Sequence, residues 1–303
     1  MSDLTINRKS GWEDVAEEEK VQIYDFANNY MDFLNNAKTE REIIKETEKL
    51  ARERGFKSLN EYLELYPGDK VYYINREKNI YLAVIGEETM ESGLNIIGAH
   101  ADSPRLDLKP NPLKQEGNLA YLKTHYYGGI KKYQWTAIPL AIHGIIVKEN
   151  GEKIYVSIGE NDNEPVFTIT DLLPHLAKEQ QQKKLSEAIN GENLSVLVGS
   201  MPDKDEEKEK VKSYILKLLN RKYGITEEDF VSSELEIVPA FKCRTLGFDE
   251  SLIAGYGQDD KVCVYTALRA ILNIERPKRT AVCLFSDKEE IGSMGNTGME
   301  SHV

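Results

Sequence analysis

Apolar positions recur at two different periods along this chain, and the change of period divides it. From Trp12 to Gly55 the spacing is helical: Val21, Tyr24, Phe26, Tyr30, Phe33 and Leu34 form one broad stripe, and Ile43, Ile44 and Leu50 form another. Thr39 followed by Glu42 has the form of a capping box opening the second helix, and Gly55 suits its C-terminal end. Ser58 and Glu61 repeat the box and predict a short helix ending near Pro67-Gly68. The charges interspersed here read as solvated helix faces. Val71 to Ile74 and Ile80 to Ile85 are predicted strands, and Leu94 to Ala99 a third that delivers His100.

The pattern then changes. Pro110 and Pro112 interrupt the chain, and Leu119 to Tyr127, Ala137 to Lys148 and Lys153 to Ile158 follow as β segments, with Asn150-Gly151 as a hairpin turn. Val166 to Thr170, a polar helix from Leu172 to Ile189, a strand from Leu194 to Gly199 and a helix from Asp203 to Tyr223 complete this block. Glu234 to Pro239 leads back to the earlier style, and Gly255-Tyr256-Gly257-Gln258-Asp259-Asp260-Lys261 opens a helical stretch to Asn273. The pattern predicts an α/β fold in three segments: α/β domain, first part, 1–107; inserted β-rich domain, 108–235; α/β domain, second part, 236–303. The apolar run from Trp135 to Val147 offers surface suited to dimerisation through the inserted domain.

The candidate chemistry lies at element ends. Thr280 to Phe285 reads as a fully covered parallel strand that stops on Ser286-Asp287-Lys288-Glu289-Glu290-Ile291-Gly292, and ligands in α/β sheets sit beyond such carboxyl ends. The strand before His100-Ala101-Asp102-Ser103-Pro104 ends in the same way, and Asp259 opens a helix. One imidazole and several carboxylates form a ligand set suited to divalent ions such as zinc. His-x-Asp has a logic on a metal, since a carboxylate can hold the ring nitrogen that the ion does not use. Each motif alone has a plainer reading, respectively a capping His, an exposed acidic turn and an N-cap Asp. Their joint placement at the ends of core elements favours a site.

Composition narrows the classes. The net charge of −12 argues against nucleic acid and against anionic membranes. No apolar stretch approaches the roughly 18 residues needed to cross a bilayer, and the N-terminus carries no signal-peptide core, so a cytoplasmic protein is expected. Cys243, Cys263 and Cys283 lack Cys-x-x-Cys spacing and read as reduced residues in the core. His125 and His143, in the β-rich block, read as structural.

Taken together, His100-Ala101-Asp102-Ser103-Pro104, Asp259-Asp260-Lys261 and Asp287-Lys288-Glu289-Glu290-Ile291-Gly292-Ser293 resemble the three site motifs of the aspartyl aminopeptidase family of zinc metallopeptidases. Tyr127-Gly128-Gly129-Ile130 and the inserted block extend the resemblance over nearly all of the chain. It implies a mixed sheet flanked by helices with an inserted β-rich dimerisation domain. It also implies two divalent metal ions, expected to be zinc, acting on peptides with a free N-terminus, and a homo-oligomer of dimers assembling into a dodecamer. Residue by residue, His100 would bind one zinc, Asp259 would bridge both and Glu290 would bind the other. Asp102 would orient His100, and Glu289 would be the general base. Asp260 and Lys261 would be supporting polar residues.

Two departures stand out. The resemblance implies a further Asp and a further His ligand well beyond Ser293, whereas the sequence stops at Val303; a truncated record is expected, and His302 in the terminal tail is not counted as a replacement. The segment Leu173-Pro174-His175-Leu176-Ala177 resembles one in which a second His, four residues on, helps form a neighbouring subunit's substrate pocket, and here that place is Glu179. A carboxylate there would repel an acidic substrate side chain, which speaks against a preference for N-terminal Asp or Glu and opens the choice to neutral or basic residues. Three other readings stay open: a non-catalytic oligomerising scaffold with an incomplete metal site, a metal-dependent deacylase or carboxypeptidase, and a glycoside hydrolase using Asp102 and Glu289.

Overall fold

The computed structural model describes residues 6 and 8–301. Two helices come first, α1 Glu17–Asn36 and α2 Glu40–Glu53. The second starts as its sequence requires: the Thr39 hydroxyl accepts the Glu42 N–H, and the Glu42 carboxylate accepts the Thr39 N–H at 3.0 Å. Ile43, Ile44, Thr47 and Ala51, spaced by single turns, are its buried face, and Gly55 at φ +85° ends it.

Among the described residues thirteen strands follow in chain order: β1 Lys57–Ser58, β2 Lys70–Asn75, β3 Asn79–Val84, β4 Asn95–His100, β5 Arg105–Glu116, β6 Leu119–Tyr127, β7 Leu140–Val147, β8 Lys153–Ile158, β9 Val196–Gly199, β10 Ser233–Pro239, β11 Arg244–Leu246, β12 Leu252–Ala254 and β13 Ala281–Ser286. The remaining helices are α3 Lys178–Gln181, α4 Leu185–Ala188, α5 Lys210–Tyr223 and α6 Gln258–Leu272. One sheet has the order β1-β2-β3-β13-β4 and is mixed, because β13 runs parallel to β4 and antiparallel to β3. The second, β8-β7-β10-β5-β6-β9, is antiparallel throughout, and β11 pairs with β12 in a separate hairpin. The mixed sheet flanked by helices is the α/β class expected.

Each of the two large sheets has its own core. Helices α1, α2 and α6 pack with β2, β3 and β13 through Phe33, Ile43, Ile80, Leu82, Leu268 and Phe285, among others. Tyr265 of α6 receives the rings of Phe26, Tyr30 and Phe33 at centroid distances of 5.2, 5.2 and 5.4 Å, locking α1 onto α6. The second core joins Leu106, Leu122, Leu140, Ile146 and Ile237 to Val211 of α5.

Several expectations need correction. β13 is not fully covered: Ala281, Cys283 and Phe285 are buried while Val282 and Leu284 are half-buried, because the three helices of that core pack on the face to which the former point. β4 lies at the edge of the described sheet, with Ile96 60% and Ile97 47% exposed. Ser58 and Glu61 do form their box, but over a single 3-10 turn, Leu59–Glu61, since nothing beyond it buries an apolar stripe. The polar helix of Leu172 to Ile189 is reduced to α3 and α4 for the same reason. The helix expected from Asp203 begins only at Lys210, after Glu209 at φ +45°. Pro110 and Pro112 do not interrupt the chain; β5 runs through both, and a register shift between Leu108 and Leu113 accommodates the missing donors. Cys263 is exposed, not a core residue, although all three cysteines are free. The run from Trp135 to Val147 offers little docking surface, since β7 is an inner strand and Trp135, Leu140, Ile142 and Ile146 are buried within the chain itself.

Candidate metal centre

Parallel neighbours β4 and β13 end together, with Ser286 beside His100 in register. That register places the two strand-end motifs side by side. His100 Nδ1 faces inward, 3.0 Å from the Asp102 carbonyl oxygen and 3.4 Å from Asp102 Oδ1. The other ring nitrogen, Nε2, faces the open side, 3.3 Å from Asp259 Oδ1 and 3.7 Å from Glu289 Oε2. Burial alone would lower the imidazole pKa, but the hydrogen bond and charge of Asp102 and the charge of Asp260 raise it to about 9.

Asp259 is not the N-cap of α6. Gly257 holds that position at φ +74°, and the Asp259 side chain is 89% exposed. Asp259 and Asp260 are joined by a cis peptide. Both depart from helical angles, and the Asp260 carboxylate turns back to accept the His100 N–H at 3.3 Å. Lys261 is buried and donates to the Lys38 carbonyl at 2.7 Å, its pKa pulled down to about 7 chiefly by burial. Ser103 donates to the Asp259 carbonyl oxygen at 3.2 Å.

Asp102 is the fixed point of the arrangement. It is fully buried, its Oδ1 accepts the Glu289 N–H, and its Oδ2 accepts both the Glu290 N–H and the Tyr127 hydroxyl. Against the cost of burial, His100 first and then these donors hold its pKa below the usual range. Glu289 and Glu290 lie in a single 3-10 turn between Lys288 and Gly292, both in the left-handed region. Burial and the charges of Asp102, Glu289 and Asp259 raise the Glu290 pKa, against the pull of His100. Asp287, one residue before the turn, is buried, accepts the Thr297 hydroxyl at 2.8 Å and lies 3.8 Å from Lys78 Nζ.

All five candidates thus meet. The imidazole has one nitrogen held from behind and one turned toward exposed carboxylates, a donor set that fits a borderline cation. Ligand atoms of His100, Asp259 and Asp260, and separately of His100, Glu289 and Glu290, lie within 4.8 Å of one another. His175 and Glu179 are not part of this centre; they line a cavity of about 590 Å³ with Thr136, Asp171 and Lys183. His143 is held at both nitrogens, by Glu42 at 2.7 Å and Glu160 at 2.9 Å. His125 is 3.8 Å from Asp107 on the surface. His302 lies outside the described residues. Sequence reasoning gave the side chains of Tyr127 and Asp287 no role, although both stand in segments that carry the family resemblance, each at or just beyond the end of a strand.

The model of the aminopeptidase I zinc metalloprotease (M18) family matches residues 33–303. The chain belongs to this M18 family. It is 51% identical over 298 residues to a probable M18 family aminopeptidase 1 of Borreliella afzelii, covering 98% of this chain and 65% of the relative. The crystal structure of an M18 aminopeptidase from Thermotoga maritima superposes with a TM-score of 0.93 at 49% identity, covering 98% of this chain and 64% of that one. A dodecamer structure of mApe1 from S. cerevisiae shares the fold, with a TM-score of 0.69 at 21% identity over 91% of this chain and 64% of the yeast chain. This M18 chain therefore spans about two thirds of the length of the relatives it matches. The family resemblance of the chain is borne out.

Proposed function

We propose that the protein is a metal-dependent aminopeptidase that hydrolyses the N-terminal residue from peptides. The observation that carries this reading is the convergence of Asp259 and Glu289 on the outward nitrogen of a His100 imidazole whose inward nitrogen is already held, with Glu290 in the same cluster, in a chain of a zinc metalloprotease family. His100, Asp259 and Glu290 would hold two zinc ions, with Asp259 shared between them. When bound, such ions supply Lewis acidity toward a peptide carbonyl and acidify water. Asp102 holds the inward nitrogen of His100, so that the outward one stays free to ligate. Glu289, the more exposed of the adjacent pair, takes a proton from the attacking water and returns it to the leaving amine. The domain inserted at 108–235, which holds most of the six-stranded sheet, would be the dimerisation module, and the dodecamer of the yeast relative supports assembly of that order. Three free cysteines fit a cytoplasmic location, and among the described residues no helix is long and apolar enough to cross a membrane.

The test is metal content together with hydrolysis of a panel of aminoacyl anilides carrying acidic, neutral and basic residues. It is run on this chain and on a fusion with the part of the Thermotoga maritima relative that this chain does not match. Zinc bound and chelator-sensitive release from free N-termini support the reading, and turnover of blocked N-termini would make the protein a deacylase instead. Neither metal nor turnover in either form would leave the oligomerising scaffold as the better account. Weak turnover of the acidic anilides relative to the others would place Glu179 in the substrate pocket.

A further inference from the structure

Tyr127 is the last residue of β6, a strand of the six-stranded sheet, yet its hydroxyl ends in the metal centre at the edge of the other sheet. It donates to Asp102 Oδ2 at 2.8 Å, and the residue is buried. The Asp102 side chain ties the two strand-end motifs together, accepting the Glu289 and Glu290 N–H groups at 3.1 Å each and facing His100 Nδ1. A carboxylate sealed from water needs its lone pairs filled, and Tyr127 is the side-chain hydroxyl that fills one of them here. The tyrosine is itself held. The Arg105 guanidinium stacks 3.8 Å from its ring centroid, and Arg105 is paired with Asp107 at 2.8 Å and with Glu40 and Glu236 at 3.4 Å each. Gly128, at φ +72°, packs so closely on Glu290 that a Cβ there would lie 2.9 Å from Glu290 Oε2.

We infer that Tyr127 is a positioning residue of the metal centre: its hydroxyl fixes the Asp102 carboxylate in the one orientation that aims His100 and holds the Glu289-Glu290 turn. The inference rests on the metallopeptidase reading for its functional meaning. Through Tyr127 the six-stranded sheet sets the geometry of a site carried by the other sheet. A tyrosine that merely filled the core would act through its ring, which phenylalanine preserves.

Tyr127→Phe in the 303-residue chain separates the two roles. Without metal, amide hydrogen exchange at Glu289 and Glu290 should quicken about tenfold, because their acceptor is freed to turn. Zinc affinity, measured by competition with a chromophoric chelator, should fall about 10- to 100-fold, and the visible spectrum of the cobalt-loaded protein should shift. In an Asp102→Asn background the tyrosine substitution should add nothing further. Unchanged exchange at these two amides together with unchanged zinc affinity would overturn the inference, as would a Tyr127→Phe chain that does not fold. If the parent chain binds no zinc, the zinc and cobalt measurements move to the fusion with the Thermotoga maritima segment; if that form binds none either, the metallopeptidase reading fails, and the exchange rates alone decide whether Tyr127 positions the turn.

Discussion

Asp102 and Glu289 are carboxylates of the same centre, but Asp102 is wholly buried with its oxygens filled, whereas the Glu289 side chain is 55% exposed. The same contrast runs through the whole site. Behind His100 lie buried groups with mutual partners, Asp102, Tyr127, Asp287 and the Arg105 cluster. In front lie Asp259 and Glu289, turned to solvent. The difference teaches which groups are set for geometry and which for chemistry: a buried carboxylate that already accepts three hydrogen bonds can aim a neighbour but cannot readily accept a substrate's proton.

That contrast breaks or sharpens by mutation. The largest effect belongs to the front half. Glu289→Gln should lower turnover about 10²- to 10⁴-fold in steady-state kinetics while leaving metal content and melting temperature in place, because an exposed base is lost but no buried partner is orphaned. Unchanged kcat would remove Glu289 as the base. In the back half the order reverses, and stability goes first. Arg105→Met leaves buried Glu236 without its paired cation and buried Glu40 with Lys78 alone, so denaturant unfolding should show a loss of about 3–5 kcal/mol. A loss below 1 kcal/mol would mean that these charges hold no more than an exposed pair does.

A smaller effect should appear with pH at His143, which lies behind the site between Glu42 and Glu160, with Lys38 2.7 Å from Glu160. Burial alone would lower its pKa, yet its two carboxylate partners raise it to about 9. Because the folded value exceeds the unfolded one of about 6.5, the stabilisation is fully present below that value and is lost as pH rises through 9. The melting temperature of the parent chain should therefore exceed that of His143→Gln most clearly near pH 6.5. The gap should narrow above pH 9, and a gap that stays constant across this range would show that the ring is neutral throughout.

Much of this was legible in the sequence. The Thr39 and Glu42 box, the stripes of α1 and α2, the strand before His100 and the strand before Glu289 all followed from period and capping, since each depends on neighbours a few residues away. The three motifs also named their five residues before any geometry was known. Where reading failed, the local signal was real but tertiary burial was missing. The Leu172 to Ile189 stretch is helical in composition, but it has no apolar face to bury. Conversely, Pro110 and Pro112 spoke against a strand, yet β5 continues because its ladder with β6 shifts register across them and resumes at Leu113.

By itself, then, the sequence determined the elements, their caps and the set of residue types able to hold a metal, because propensity, periodicity and spacing act over short range. Only the tertiary structure decided that β4 and β13 run side by side and in register, so that two motifs nearly two hundred residues apart share Asp102. It alone brought Tyr127 from the other sheet onto that carboxylate and divided the carboxylates into buried and open. Those outcomes depend on which surfaces exclude water from which groups, and that is fixed only when distant segments pack.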